Sequence, residues 1–480
     1  MRGLLGRLAT LGALALLWLV SPATAQDGGS RPIVGERSGL APDAPLRTTL
    51  VYPPFAHTLG IHRARPAHLA LFLGDRTTFD DPQGLAAVKF ASDDDPSKKG
   101  DDFQLTLFGV NAGRHEILYN SSMQTLAIYG GEGTAEGRFR APHGIAAAPD
   151  GRVYVADTGN ERVARLRWDP VARGLEWVGS WPASAPFDVA VDARGQVYVS
   201  DRREEAVLRI ADSAAGAGSG LLPDSPVSGD RWPLPDDVEA PLGIAVGDDR
   251  DPWYRPQGYR LYLVDRDGER LRAYDAGGRV LAEVSPEDVR GFDAGPGRFF
   301  YVALDYHGNL YVTDPIAGAV YKLDDRLRPL AVFPGPGEAG TALEAPRGIA
   351  IWRRFGQVFV AEERGAQYYF VGTDFVVDSP AEIRRDEAGS GYAIDLTLTE
   401  AATVKLTFLD AAGDTLGVAD AGRVPQGSSS ARWSAWIRFP VEDWMARAER
   451  VAIEARPTYS SRKRFSRTRT VPIEWASDPP

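Results

Sequence analysis

A short pattern written six times constrains this chain more than any other feature. Its fullest copy runs Ala141-Pro142-His143-Gly144-Ile145-Ala146, then Asp150-Gly151, then Val153-Tyr154-Val155-Ala156-Asp157, then Asn160 and Arg162-Val163. A second copy has Ala185-Pro186-Phe187-Asp188-Val189-Ala190, Arg194-Gly195 and Val197-Tyr198-Val199-Ser200-Asp201. A third has Ala240-Pro241-Leu242-Gly243-Ile244 and Leu261-Tyr262-Leu263-Val264-Asp265. The fourth lacks the Pro and reads Phe300-Tyr301-Val302, His307-Gly308 and Leu310-Tyr311-Val312-Thr313-Asp314. The fifth is Ala345-Pro346-Arg347-Gly348-Ile349 with Val358-Phe359-Val360-Ala361-Glu362. A diverged copy precedes them, Pro82-Gln83-Gly84-Leu85, with Asn111 at the acidic position.

The residue after the Pro position falls at 83, 143, 187, 242, 300 and 347, so the unit recurs every 44 to 60 residues. Self-similarity at this period, carried by short strands around Gly turns, points to a β-propeller with one blade per copy. Val153 and Val155 alternate with Tyr154 and Ala156, the period of a packed strand. Six copies imply six blades, with five or seven left open. The propeller is expected over residues 67–375, after a Pro-rich arm at 26–66. A strand from the other terminus is expected to complete the last blade, and Leu69-Ala70-Leu71-Phe72-Leu73 stands where that strand belongs.

From about residue 380 the repeat stops and clean alternation takes over. Tyr392, Ile394, Leu396 and Leu398 share one face, followed by Val404, Leu406 and Phe408. The turn Asp410–Gly413, then Trp433, Trp436 and Ile437, then Val451 and Ile453, then Val471, Ile473 and Trp475 mark further strands. Short alternating strands without a helical period predict a small β-sandwich over 380–478. The fold class expected is therefore all-β, a six-bladed propeller followed by an Ig-like sandwich.

These repeats resemble the NHL family of six-bladed propellers, whose consensus reads roughly P-x-G-I-A-V, x-G, V-Y-V-A-D, N-x-R-I. The resemblance spans 67 to about 375 and is closest over 130–163. It implies a scaffold that hosts lyases, lactonase-like hydrolases, peptide binders and RNA binders, so fold alone names no activity. The stretch Val404–Gly413 resembles the Ig-like module of the flagellar hook-capping protein, which implies an accessory role.

Ahead of the arm, Arg2 and Arg7, the apolar run Leu8–Val20 and Ala23-x-Ala25 read as a secretory signal peptide cleaved after Ala25. Thirteen apolar residues are too few for a membrane span. Export to the periplasm or beyond is expected, without disulfides, lipid anchor or thiol chemistry, because the chain has no Cys. The formal net charge of −11 argues against nucleic acid as partner.

In an antiparallel blade the start of strand one and the end of strand two lie on one face, so two rings of residues converge there. The second ring is Asn111, Asp157, Asp201, Asp265, Asp314 and Glu362. A carboxylate repeated in nearly every blade is expected to hold the following turn by accepting backbone N–H bonds. The first ring varies, and so is freer to serve a site: Gln83, His143, Phe187, Leu242, Phe300 and Arg347 are the expected ligand-binding residues.

His143 occupies the place where the resembling peptide-amidating lyases put a zinc-ligating His. Those lyases need three, and the matching positions here offer Gln, Phe, Leu, Phe and Arg, so no metal site is assigned. His143 is instead expected to line a wet central channel. His307 falls in a hairpin turn on the opposite face, His115 just past a turn, and His57, His62 and His68 outside the core repeats. No nucleophile motif is present.

No cofactor is expected, with calcium on channel carboxylates left open. A mixed aromatic and polar mouth suits a peptide, glycan or small organic ligand, or a cell-envelope protein. The expected function is an exported binding or scaffolding protein. The alternative is a divalent-metal-dependent propeller enzyme, a lyase or lactonase-like hydrolase. The acidic and basic insert at 93–102 and the basic run Arg462-Lys463-Arg464, Arg467 and Arg469 read as solvated loop and strand edge.

Overall fold

A computed structural model describes residues 46–47, 51–52, 63–94, 97, 105–121, 125–211, 230–290, 296–333, 342–385, 391–434, 447–459 and 466–476. The expected leader, most of the arm, the charged insert beyond Asp94, Trp436, Ile437 and the Arg462–Arg464 run lie outside these residues. Six sheets, each headed by one copy of the repeat, form the propeller. Blade one comprises Pro82–Val88, Thr106–Asn111, Glu116–Ser121 and Thr125–Gly130. Blade two comprises Ile145–Ala147, Arg152–Asp157, Arg162–Asp169 and Gly174–Pro182. Blade three comprises Pro186–Val191, Gln196–Asp201, Ala206–Ala211 and Asp230–Arg231. Blade four comprises Ile244–Gly247, Arg260–Asp265, Arg270–Tyr274 and Val280–Val284. Blade five comprises Val302–Leu304, Leu310–Asp314, Ala319–Leu323 and Pro329–Phe333, and blade six comprises Ile349–Trp352, Gln357–Glu362 and Gly365–Val371.

Within each blade the strands pair antiparallel to their neighbours in sequence, as the tight turns require. The apolar residues of adjacent blades then face each other. Phe90, Phe108, Trp168 and Val155 fill the space between blades one and two, and Tyr198, Trp232, Leu261 and Leu263 that between three and four. Hydrophobic burial is thus distributed around the ring rather than held in one centre.

The last blade is completed from the N-terminal side, but by different residues than the sequence indicated. Leu69–Leu73 is not a strand: Pro66–Leu73 forms a helix, with Pro at its start and Gly74 closing it at φ 63°. Leu69 and Leu73 pack on Leu118 of blade one's third strand, with Leu126 and Ile128 of its outer strand beside them. The closing strand is Val51–Tyr52, antiparallel to Gly365–Val371, and Arg63–Ala64 pairs with the other end of the same strand. Leu46–Arg47 adds a parallel fifth strand to blade five. Arg63 fixes the closure, donating from Nε and Nη2 to Glu362 at 2.9 and 2.7 Å.

The C-terminal strands Phe375–Val376, Ala381–Arg385, Gly391–Leu398, Ala402–Leu409, Thr415–Val424, Gly427–Ser434, Arg450–Pro457 and Arg467–Trp475 form one eight-stranded sheet. Ile394, Leu396, Leu406, Phe408, Val451 and Ile453 share its core. It meets the hairpin-turn end of blades five and six through a polar junction. The fully buried Lys322 ammonium pairs with Glu400, and Asp305 Oδ2 lies 3.9 Å away. Asn309 Nδ2 donates to Asp305 at 2.9 Å, and Arg423 Nη2 lies 3.0 Å from His307 Nδ1. Tyr459 lays its ring against Gly356, where a Cβ would stand 2.9 Å from it. His307 therefore sits on the hairpin end as expected, but within this junction. Among the described residues, no helix is long and apolar enough to cross a membrane.

Candidate functional site on the propeller axis

The segments Pro-x-Gly of successive blades touch one another around the axis. Gly84 N donates to His143 O at 2.9 Å, Gly144 N to Phe187 O at 2.8 Å, and Gly243 N to Phe300 O at 3.0 Å. This closeness explains the glycine. A Cβ on Gly84 would stand 2.8 Å from His143 O and 2.9 Å from Gly144 Cα, both backbone atoms. The residue before the Pro adopts a left-handed conformation in the same blades: Asp81 (φ 50°), Ala141 (φ 41°), Ala240 (φ 38°) and Ala345 (φ 47°). Such a φ is unfavourable for a residue with a Cβ, so backbone strain collects on this face.

Two blades break the glycine rule. Asp188 stands at the position in blade three and Tyr301 in blade five. Both side chains are buried on the axis. Asp188 accepts from Val189 N at 2.9 Å and from Ile244 N at 3.0 Å, tying blade three to blade four. Burial pushes its carboxyl up to about 7 despite those bonds. The Tyr301 hydroxyl donates to Gln83 Oε1 at 3.3 Å, tying blade five to blade one, and burial raises the phenol well above its ordinary value. Sequence reasoning missed both residues. The signal was their departure from the Gly column.

The six sequence-derived residues come together, at two depths. Gln83, Phe187 and Leu242 are closed off, each no more than 3% exposed. Phe187 stacks on Tyr301 with centroids 5.5 Å apart and meets Phe300 edge-on at 5.4 Å. At this depth Gln83, Phe187 and Leu242 are closed off from solvent by neighbouring side chains. His143, Phe300 and Arg347 are half-buried and form the rim above that floor.

His143 packs 5.0 Å from Phe187. Its Nδ1 lies 3.1 Å from Ala141 O and 3.0 Å from Thr158 Oγ1. The Thr158 hydroxyl donates its own proton to Pro186 O at 2.6 Å, so Nδ1 must be the donor and Nε2 the acceptor. Burial lowers the imidazole below its ordinary value, which keeps that neutral tautomer. Arg347 pairs with Asp81, which also accepts from Gln83 Nε2 at 3.1 Å. A continuous set of bonds thus runs from Tyr301 through Gln83 and Asp81 to the guanidinium at the rim. His115 lies below this face, its Nδ1 accepting from Ala141 N at 3.0 Å.

The second ring is buried throughout, and its members accept from backbone N–H groups or from Arg side chains. Asp157 Oδ1 accepts from Arg140 N at 2.8 Å, Asp201 Oδ1 from Arg203 and Glu204 N at 3.1 Å, and Asp314 Oδ1 from Ala317 N at 2.8 Å. Asp265 is held by Arg270 at 2.7 and 2.6 Å, Glu362 by Arg63, and Asn111 Oδ1 accepts from Asp80 N at 2.8 Å. Among the described residues, no three His, Cys, Asp or Glu side chains gather into a metal-ligating group.

Residues 139–166 match the NHL repeat family model, the stretch that carries the fullest copy of the pattern. No curated protein matches the chain in sequence. Among solved structures, virginiamycin B lyase from Staphylococcus aureus is similar at 14% identity, over 55% of this chain and 77% of that one, with a TM-score of 0.37. A gluconolactonase from Xanthomonas campestris is similar at 16% identity, over 67% and 97% of the two chains, with a TM-score of 0.40. An aldose sugar dehydrogenase from Streptomyces coelicolor gives 14%, 62%, 96% and 0.38. These likenesses carry no argument about activity; the chain is a six-bladed propeller in which one blade matches the NHL repeat and whose axial rim is built by His143, Phe300 and Arg347.

Proposed function

We propose that this is an exported binding protein whose axial propeller face holds a peptide, glycan or small organic ligand, with the C-terminal sheet serving as an Ig-like accessory module. One observation carries the reading. Three half-buried groups of different chemistry, an imidazole acceptor at His143, a phenyl face at Phe300 and a guanidinium at Arg347, share one rim over a closed aromatic floor. Such a surface supplies apolar contact and a few placed polar groups, which is what an organic ligand needs for orientation. Arg347 suits a carboxylate or phosphate, which would take the place of Asp81 on the guanidinium. The aromatic or aliphatic part of the ligand would rest on Phe300.

A thermal-shift screen of acidic peptides, oligosaccharides and aromatic carboxylates tests this on the full-length chain, Arg347→Met and Phe300→Ala. A ligand that stabilises the parent chain and fails to stabilise both variants supports the reading. Stabilisation that survives both substitutions, or no stabilising ligand in these classes, counts against it.

A further inference from the structure

The axial face carries a second guanidinium, outside the two rings of the repeat. Arg202 follows Asp201 at the end of the second strand of blade three. Its backbone N–H donates to Ala185 O at 3.0 Å, which holds it against the Pro186-Phe187 segment of the same blade. The guanidinium Cζ lies 5.8 Å from the centre of the Phe187 ring. Its charge also reaches His143, adding to the burial that keeps that imidazole neutral. The side chains of Arg202 and Arg347 are 38% and 24% exposed, so both remain open to solvent.

The two guanidiniums stand on opposite sides of the ring. Arg202 belongs to blade three and Arg347 to blade six, half-way round a closed ring of six. A line of contacts crosses the floor between them. Arg202 lies on Phe187, Phe187 stacks on Tyr301 at 5.5 Å, and Tyr301 donates to Gln83 at 3.3 Å. Gln83 in turn donates at 3.1 Å to Asp81, the partner of Arg347.

Neither guanidinium is saturated. Arg202 donates from Nη2 to Asp267 at 2.9 Å, and Arg347 donates from Nη1 to Asp81. Among the described residues, these are the only hydrogen bonds of the two guanidinium groups. Arg162 and Arg270, which hold the acidic ring, each donate from all three nitrogens. The carboxylate partners are also weak competitors, since the Asp267 side chain is 60% exposed and that of Asp81 42%.

This arrangement narrows the ligand class. A cation would meet two like charges, and a neutral ligand would leave both forks unused. A ligand with one anionic group engages one side of the ring only. An organic body with an oxyanion at each end takes the place of Asp81 and Asp267 together, and lays its apolar middle on Phe300. We propose that Arg202 is the second anion-binding residue of the axial face, and that the ligand is an organic dianion with one oxyanion group on Arg202 and one on Arg347. This rests on the reading of the axial rim as a binding face.

Calorimetric titration of the full-length chain at low salt tests it. The probes are terephthalate, 1,4-phenylenediacetate and biphenyl-4,4′-dicarboxylate, each beside its monomethyl ester, and 4-carboxyphenyl phosphate beside phenyl phosphate. The expected result is at least one dianion binding about tenfold or more tighter than its singly charged partner. Which pair shows the advantage separates carboxylate from phosphate at the second position. Arg202→Met should bring the dianion to its partner's affinity, while the partner itself changes by no more than about threefold. Asp267→Asn frees the guanidinium and suits the left-handed backbone there (φ 54°), so it should tighten the dianion, and it decides if Arg202→Met does not fold. Equal binding of dianions and their partners, or an advantage that survives Arg202→Met in a folded chain, overturns the assignment and leaves the rim itself standing. Failure of every probe to bind overturns the dianion, and the wider thermal-shift screen then decides the rim by itself.

Discussion

Arg63 grips Glu362 across 299 positions of chain, with Nε and Nη2 donating to the two carboxylate oxygens. Glu362 is almost fully buried and is the sixth blade's member of the acidic ring. In blades two to five that residue is held by backbone N–H groups or by an Arg five residues on; here the Arg comes from the N-terminal arm. The guanidinium also donates to Ala342 O at 2.6 Å, so one side chain joins arm, loop and blade.

Replacing Arg63 with Met therefore leaves a buried carboxylate short of two charge-assisted bonds. The expected cost is about 2–4 kcal/mol, read as a lower denaturant midpoint. Arg63→Lys keeps the charge but not the fork, and should fall between parent and Met. Equal midpoints for all three chains would remove Arg63 from the closure.

Gly84 tests the close approach of blades at the axis. Its Cβ would press on backbone atoms of blade two, which cannot turn aside as a side chain can. Gly84→Ala should cost about 1–3 kcal/mol or more. Gly174→Ala is the control, since its Cβ would meet only Tyr119 Oη and Ala172 O at 3.6 and 4.0 Å. Similar melting temperatures for the two variants would contradict the packing account.

Lys322 holds the C-terminal sheet to blade five. Lys322→Met leaves Glu400 and Asp305 buried without their cation, an expected loss of about 3–5 kcal/mol. Adding Glu400→Gln should recover part of it. A double-mutant cycle on urea midpoints measures the coupling, and strict additivity would show that the pair does not act as one.

Two buried groups give opposite pH slopes. Asp188 is pushed up to about 7, so between its ordinary 3.8 and 7 the folded chain keeps a proton the unfolded chain has lost. Its contribution is fully present below 3.8 and falls as pH rises. His307 is held down to about 4 by burial, against an ordinary 6.5. In that window the unfolded chain binds the extra proton, so its contribution falls as pH drops. Asp305, pushed up to about 6, adds to the Asp188 side.

Between pH 4 and 6.5 the two slopes oppose each other in the parent chain. Asp188→Asn should make stability climb more steeply with pH, and His307→Gln should make it fall. Each change is on the order of 3 kcal/mol across the window, measured by urea titrations at several pH values. Parallel profiles for parent and variants would refute both assignments.

The blades were legible because each writes its own turn and strand signals, and the Pro-x-Gly positions gave the axis directly. The closure was not. Leu69–Leu73 is an apolar run of five residues, too short for periodicity to separate strand from helix. The better signal was Pro66 at its start and Gly74 at its end, the asymmetry of a helix. Val51–Tyr52 is a strand only because blade six offers it an edge, so its own two residues carry no pattern. At the site, the column of residues after the Pro was readable, but their depth was not. Phe187 and Leu242 are sealed by Tyr301 and by neighbouring blades, which are contacts between distant copies of the repeat. The junction at His307 and Lys322 depends on Glu400, Arg423 and Tyr459, and no local motif announces it.

Hydrogen exchange of the full-length chain, with and without the most stabilising ligand from the screen, tests the axial binding face most directly. The account predicts added protection in the amides of 141–145, 299–302 and 345–349, which carry His143, Phe300 and Arg347. Protection confined to other segments, or none while the ligand is bound, would contradict it.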